Sequence, residues 1–199
     1  MTSIAIGRLL RANTAGCVIG CRVSQQDAPT FGQMVRIPLD DGSQLFGLVQ
    51  EIHIDDDGLV RQLVTAPDIS EEIIEDNRVN RNMPMEISVA FIGWEKEHTI
   101  SQTRAPRPPL SLDQIFLCND AEIAAFTSNG KFGYFRSLVR NEELPTADLL
   151  TAHLRQIHYV HKKLMTDLDV ENSVREIIAL LKDDYPQLMD VLSAVSEIL

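Results

Sequence analysis

The sequence predicts an α+β protein: a small six-stranded β-barrel at the N-terminus, then an α-helical C-terminal region. Three observations carry that reading. Short apolar runs separated by turn residues fill the first hundred positions, three prolines crowd residues 105–109, and beyond them the apolar period lengthens from two to three or four.

The strand signals come in order as "SIAIGRLL", "CVIGCRV", "QMVRIPL", "QLFGLVQEIHI", "LVRQLVTA" and "MEISVAFIGW". Turn chemistry separates them in "NTAG", "DAPTFG", "DDGS" and "DDDG". The pairs Asp41-Gly42 and Asp57-Gly58 are the strongest hairpin signals, because glycine supplies the positive φ that tight turns require. Short strands this close together predict a closed barrel, which leaves no open sheet edge. Between the fifth and sixth runs, Asp68 with Glu71 three residues on predicts a capped short helix.

Residues 1–100 are thus read as barrel, 101–110 ("SQTRAPRPPL") as a proline-rich linker, and 111–199 as helical. Asn119 is a helix cap in "NDAEIAAF", and Thr146 after Pro145 opens a long helix. Its apolar positions Leu150, Leu154, Ile157, Leu164 and Leu168 step by three and four, with His161 filling the gap. Two more amphipathic helices follow, the last with Pro186 in its first turn. The near-heptad seam predicts that the helical region self-associates into a homo-oligomer.

Composition narrows the function classes. The 199 residues are 44% apolar, and no run approaches the length of a membrane span. "MTSIAIGRLLRANTAG" reads as a strand and not a signal peptide. The odd cysteine count (Cys17, Cys21, Cys118) disfavours a disulfide framework, so a cytoplasmic location is expected. Net charge is −11, with 10 basic against 15 acidic side chains in residues 1–110 and 8 against 14 in residues 111–199. Neither half has the basic footprint that phosphate neutralisation demands, which argues against duplex nucleic acid; Arg104 and Arg107 are the nearest thing to a local basic patch.

The first 110 residues resemble the HAS-barrel, the N-terminal domain of HerA-type DNA-translocating ATPases. The likeness rests on Ile6-Gly7 in the first strand, Phe31-Gly32 before the third, and Asp41-Gly42 followed by Phe46-Gly47-Leu48-Val49, with "MEISVAFIGW" as the last barrel strand. It continues through "RAPRPPLSLDQIFLCNDAEIAAF" and "FGYFRSLVRNEELPTADLLTAHL", which are similar to the connection leading to the motor domain. Where the family places its phosphate-binding loop, this chain reads "RQIHYVHKKLMTDL", so the resemblance implies a barrel without an ATPase. It implies structural roles for Gly7, Gly32 and Gly47 and no catalytic or cofactor-binding residue. It also implies a protein partner, such as a separate DNA-processing ATPase or nuclease.

Other motifs fail on spacing. Gly130-Lys131 in "SNGKFGYF" has Ala125 and Phe132 where a phosphate loop needs Gly and Ser/Thr, so Asn129-Gly130 reads as a helix C-cap. A calcium-loop register placing Gly58 sixth starts at His53 and ends at Val64 instead of Glu. Of His153, His158 and His161, the last two share a helix face and are the candidate metal pair, although His161 also fits the apolar seam. Cys17 and Cys21 lack a second pair for zinc and read as small core residues, and Trp94 reads as packing on the linker. No metal or other cofactor is expected. The function expected is therefore a non-enzymatic docking and assembly protein. The alternatives are a barrel that binds single-stranded nucleic acid, and an enzyme whose site leaves no motif.

Overall fold

The computed structural model describes residues 4–21, 28–54, 58–79, 85–128, 132–166, 168 and 170–196. The first strands are β1 (Ala5–Ala12), β2 (Gly16–Cys21), β3 (Met34–Pro38) and β4 (Gln44–Ile54). Helices α1 (Gly58–Thr65) and α2 (Glu71–Val79) precede the long β5 (Met85–Lys96), the short β6 (Thr99–Ser101) and β7 (Gln114–Leu117). The chain continues as α3 (Asp120–Thr127), α4 (Phe135–Val139), α5 (Thr146–Leu164), α6 (Val170–Leu181) and α7 (Tyr185–Ser196).

Six antiparallel strands close on themselves in the order β1-β2-β5-β4-β3-β7, and β6 extends β5 as a hairpin outside the ring. The sixth stave is therefore not one of the six runs read from the sequence. "LVRQLVTA" forms α1 instead of a strand, because its apolar pairs Leu59-Val60 and Leu63-Val64 repeat at a four-residue step that a helix satisfies as well. Gly58 consequently begins a helix and not a hairpin, and Asp57 lies outside the described residues. The missing stave is β7, only four residues long, which comes after the proline-rich segment and pairs with both β1 and β3. Residues 101–110 thus run between two parts of the sheet. Ala105 within them is buried, and the Gln102 side chain donates to the Phe126 carbonyl (3.0 Å) and accepts from the Gly133 amide (3.0 Å).

Two cores follow from the strand patterns. In β2, Cys17, Ile19 and Cys21 point inward and alternate with half-exposed neighbours. Together with Ile6, Leu9, Val35, Ile37, Val49, Ile87 and Val89 they fill the barrel. In β4 five consecutive residues, Leu45–Val49, are buried, because its outer face is covered too. The barrel's outer face there presents Met34 of β3, Phe46 and Leu48 of β4, and Ala90 and Ile92 of β5 to the helices, and these join Phe126, Tyr134, Leu149, Leu150, Ile157 and Val191 in a second core. The seam expected on α5 is used there: Leu150, Leu154, Ile157 and His161 are buried within the chain, Leu168 packs against the same core, and Leu164 is 39% exposed.

Local signals act where they were expected in several places. Gly42 turns the β3–β4 hairpin at φ 78°. Asn119 and Glu122 form a complete capping box on α3. On α2 the cap is Ser70 and not Asp68: the Ser70 carbonyl accepts from the Ile73 and Ile74 amides at 3.1 and 3.2 Å. No helix among the described residues is long and apolar enough to cross a membrane.

Candidate docking surface

The three resemblance glycines sit where backbones meet. A Cβ on Gly7 would strike the Gly20 carbonyl oxygen across the β1–β2 pair, and one on Gly47 would strike Val89 Cγ1 and the Ala90 oxygen. Gly32 adopts φ 81°, donates to the Val49 carbonyl at 2.8 Å, and lies against Ala152 of α5. It is the close approach at which barrel and long helix touch.

His153 and His161 are spent on structure. His153 is fully buried, and its Nε2 shares a 2.8 Å hydrogen bond with the Tyr134 hydroxyl. Burial pushes its pKa down to about 4, opposed by the neighbouring Gln156 side chain. His161 has both ring nitrogens engaged, Nε2 with Thr127 Oγ1 (2.7 Å) and Nδ1 with Thr166 Oγ1 (2.9 Å), so neither is open to a metal. His158 is half-buried beside it on α5, and among the described residues no group of three His, Cys, Asp or Glu is arranged to hold a metal ion. The proposed Asn129-Gly130 cap lies outside the described residues; α3 ends at Thr127, with Ser128 as its C-cap.

The cysteines offer no nucleophile. Burial raises the Cys17 thiol to about 12 and Cys21 to about 11, and it also raises Cys118, so all three stay protonated near neutrality. Trp94 is partly buried against the barrel core, and its indole N–H donates to Thr103 of the connector at 3.2 Å. The large exposed aromatics among the described residues are Tyr159 and Tyr185, both on helices, so the barrel wall offers no row of bases-stacking side chains.

Among the described residues, two open clefts are of note. One, of about 280 Å³, is lined by Arg11, Asn13, Gln50, Ser88, Asn141 and Glu143. The other, of about 440 Å³, lies between the β3–β4 and β5–β6 hairpins. In it Asp41 accepts from the Ser43 hydroxyl and amide and pairs with Arg107 (3.0 Å) and Lys96 (3.7 Å), bonds that hold its pKa down at about 2. Its carboxylate is thus a fixed structural anion.

The most unusual surface is a ledge along β1. Leu110 and Leu112 are 66% and 65% exposed, and the bulged Leu10 is 40% exposed beside them. The loop is tightly held. Leu112 donates to the Leu9 carbonyl (2.9 Å), Leu9 to the Asp113 carbonyl (3.0 Å), Arg8 Nη1 to the Leu112 carbonyl (2.9 Å), and Leu110 to the Asp113 carboxylate (2.8 Å). Leu112 has φ 71°, a left-handed conformation that costs a branched side chain roughly 1–2 kcal/mol. A leucine held in solvent by strained, fully bonded backbone is a feature that exposure alone does not explain. Sequence reading passed over it because "PPLSLDQ" sits in a proline-rich stretch. Its alternating leucines in polar company were the available signal.

Neither any protein-family model nor any curated protein matches this sequence.

Proposed function

We propose that this chain is a non-enzymatic docking and assembly protein. Its partner would be a separate DNA-processing ATPase or nuclease, as the likeness of its barrel residues to the HAS-barrel suggests. The observation that carries the docking reading is the leucine ledge, Leu10, Leu110 and Leu112, held out by the Asp113-centred hydrogen bonds. Rigid apolar anchors of this kind supply most of the energy of an interface, since they lose little conformational freedom when they bind. His153, His161, the three thiols and Asp41 are meanwhile committed to internal bonds or burial.

Leu112→Asn separates docking from folding, because asparagine tolerates the left-handed region better than leucine. The expected result is an unchanged or higher Tm, together with about tenfold weaker partner recovery in affinity capture from the host cell, a loss of about 1.4 kcal/mol. The partner expected from wild type is a nucleotide-driven translocase or nuclease. Recovery of the bait alone, or equal recovery by wild type and variant, would sink the reading.

A further inference from the structure

One side of α5 departs from the acidic character of the chain. From Leu149 to Thr166 the sequence holds the cations Arg155, Lys162 and Lys163 and no carboxylate, although 29 of the 199 residues are acidic. Leu149, His153, Ile157 and Val160 bury one side of the helix, and Arg155, Tyr159 and Lys162 stand opposite at four- and three-residue steps. Helical spacing alone therefore brings these three onto one face, with Arg155 and Lys162 roughly 10 Å apart along the axis. All three are exposed, Tyr159 by 63%. Helix stability explains part of the pattern. Lys162 and Lys163 lie in the last turn, where cations favour the C-terminus, and Lys163 is tied to Asp120 of α3 at 2.6 Å. Arg155 lies more than two turns further in, beyond the reach of that effect. Elsewhere Arg11, Arg36, Arg107 and Arg175 each pair with a carboxylate at 2.6–3.1 Å. Among the described residues, neither Arg155 nor Lys162 has such a partner. An exposed tyrosine beside an unneutralised arginine is also the pair of residue types that most often carries interface energy.

We infer that the Arg155–Tyr159–Lys162 face of α5 is a docking site for an acidic helical segment of a partner protein. It goes beyond the leucine ledge, since it uses another element and a charged partner chemistry. Charge complementarity selects the occupant. The two cations lie about one Debye length apart at 0.1 M salt, roughly 10 Å, and carboxylates seven residues apart on a partner helix match that span. Tyr159 between them supplies the apolar anchor that charge alone lacks. Asp148, seven residues before Arg155 on the same face, sets the register, because a carboxylate laid against it is repelled. A continuous phosphate backbone fits less well, since it would run past the cations onto Asp148 and a chain of net charge −11. A second copy is disfavoured by the mutual repulsion of two chains that each carry −11.

The probe is a labelled amphipathic peptide of glutamate and leucine at helical spacing, read by fluorescence anisotropy on the full chain. Matched peptides replace every glutamate by lysine or every leucine by serine. The expected result is binding of the glutamate–leucine peptide only, weakened about tenfold by Arg155→Gln with Lys162→Gln, and likewise by Tyr159→Ser. Arg104→Gln with Lys182→Gln removes the same charge elsewhere on the surface and should leave binding unchanged. All these positions are exposed, so each variant should keep its Tm. No binding, or an equal loss in the Arg104 and Lys182 pair, overturns the inference. A labelled oligodeoxythymidine that binds more tightly than the peptide, and is released by the Arg155 and Lys162 changes, assigns the face to single-stranded nucleic acid and overturns it too. Sedimentation gives the last check: a wild-type dimer that these same changes turn into a monomer would make a second copy the occupant.

Discussion

His153 shows how a residue type that suggested chemistry is absorbed by packing. It lies with no solvent exposure between the barrel's outer face and α4, where Gly32 lets α5 approach and Tyr134 caps its Nε2. Folding therefore holds the imidazole neutral, with a pKa of about 4 against an ordinary 6.5. The unfolded chain takes up a proton near pH 6.5 while the native protein resists until about pH 4, so the unfolded state binds more protons in between. Stability is then complete above pH 6.5 and falls as pH drops towards 4, by roughly 3 kcal/mol over the window. Burial lowers His161 as well, which adds in the same direction. Urea midpoints measured from pH 7 to pH 4.5 should fall steeply in wild type and more gently in His153→Gln. Equal slopes would show that the Tyr134–His153 pair does not control acid sensitivity.

At the scale of elements, α3 joins the two halves. Its capping box uses Asn119 and Glu122, and the second oxygen of Glu122 pairs with Arg36 of β3 at 2.7 Å. Arg36 also lies over the Phe116 ring of β7, 4.9 Å from its centre. One cap thus fixes a helix start and orients two staves. Asn119→Ala should cost about 1 kcal/mol in chemical denaturation. An unchanged midpoint would mean that the Arg36 pair alone holds this helix end. The cap was legible because Asn and Glu three apart, before an apolar run, leave few other readings. The barrel itself was legible from alternation in β2 and from the doubly buried runs of β4 and β5. Two assignments failed for physical reasons. The spacing of "LVRQLVTA" fits two periods, and only tertiary context, an excursion away from the sheet, decided for helix. The four residues of β7 are too few for any period to show, and long-range pairing with β1 and β3 makes them a strand. Of the leucine ledge only the alternating leucines of "PPLSLDQ" were legible, because the left-handed backbone at Leu112 arises from bonds to Leu9, more than a hundred residues earlier.

For the whole molecule, the decisive fact is that the α5 seam closes inside the chain. A near-heptad row normally invites a second helix from another copy, and here β3–β5, α3 and α7 fill that place. Any self-association must then use another surface, and the exposed leucines of the ledge are of suitable chemistry. The two possibilities separate in one variant. Leu150 is fully buried in the helix–barrel core, and Leu150→Ala leaves a cavity there, which should lower unfolding free energy by about 2–5 kcal/mol. That is a large fraction of the stability of a domain this size, so the change in Tm should be plain. If the seam is internal, the protein that remains folded sediments as wild type does, whatever its oligomeric state. A variant that keeps its Tm but sediments as a smaller species would place the seam between copies, and the helices would have to swing off the barrel to put it there.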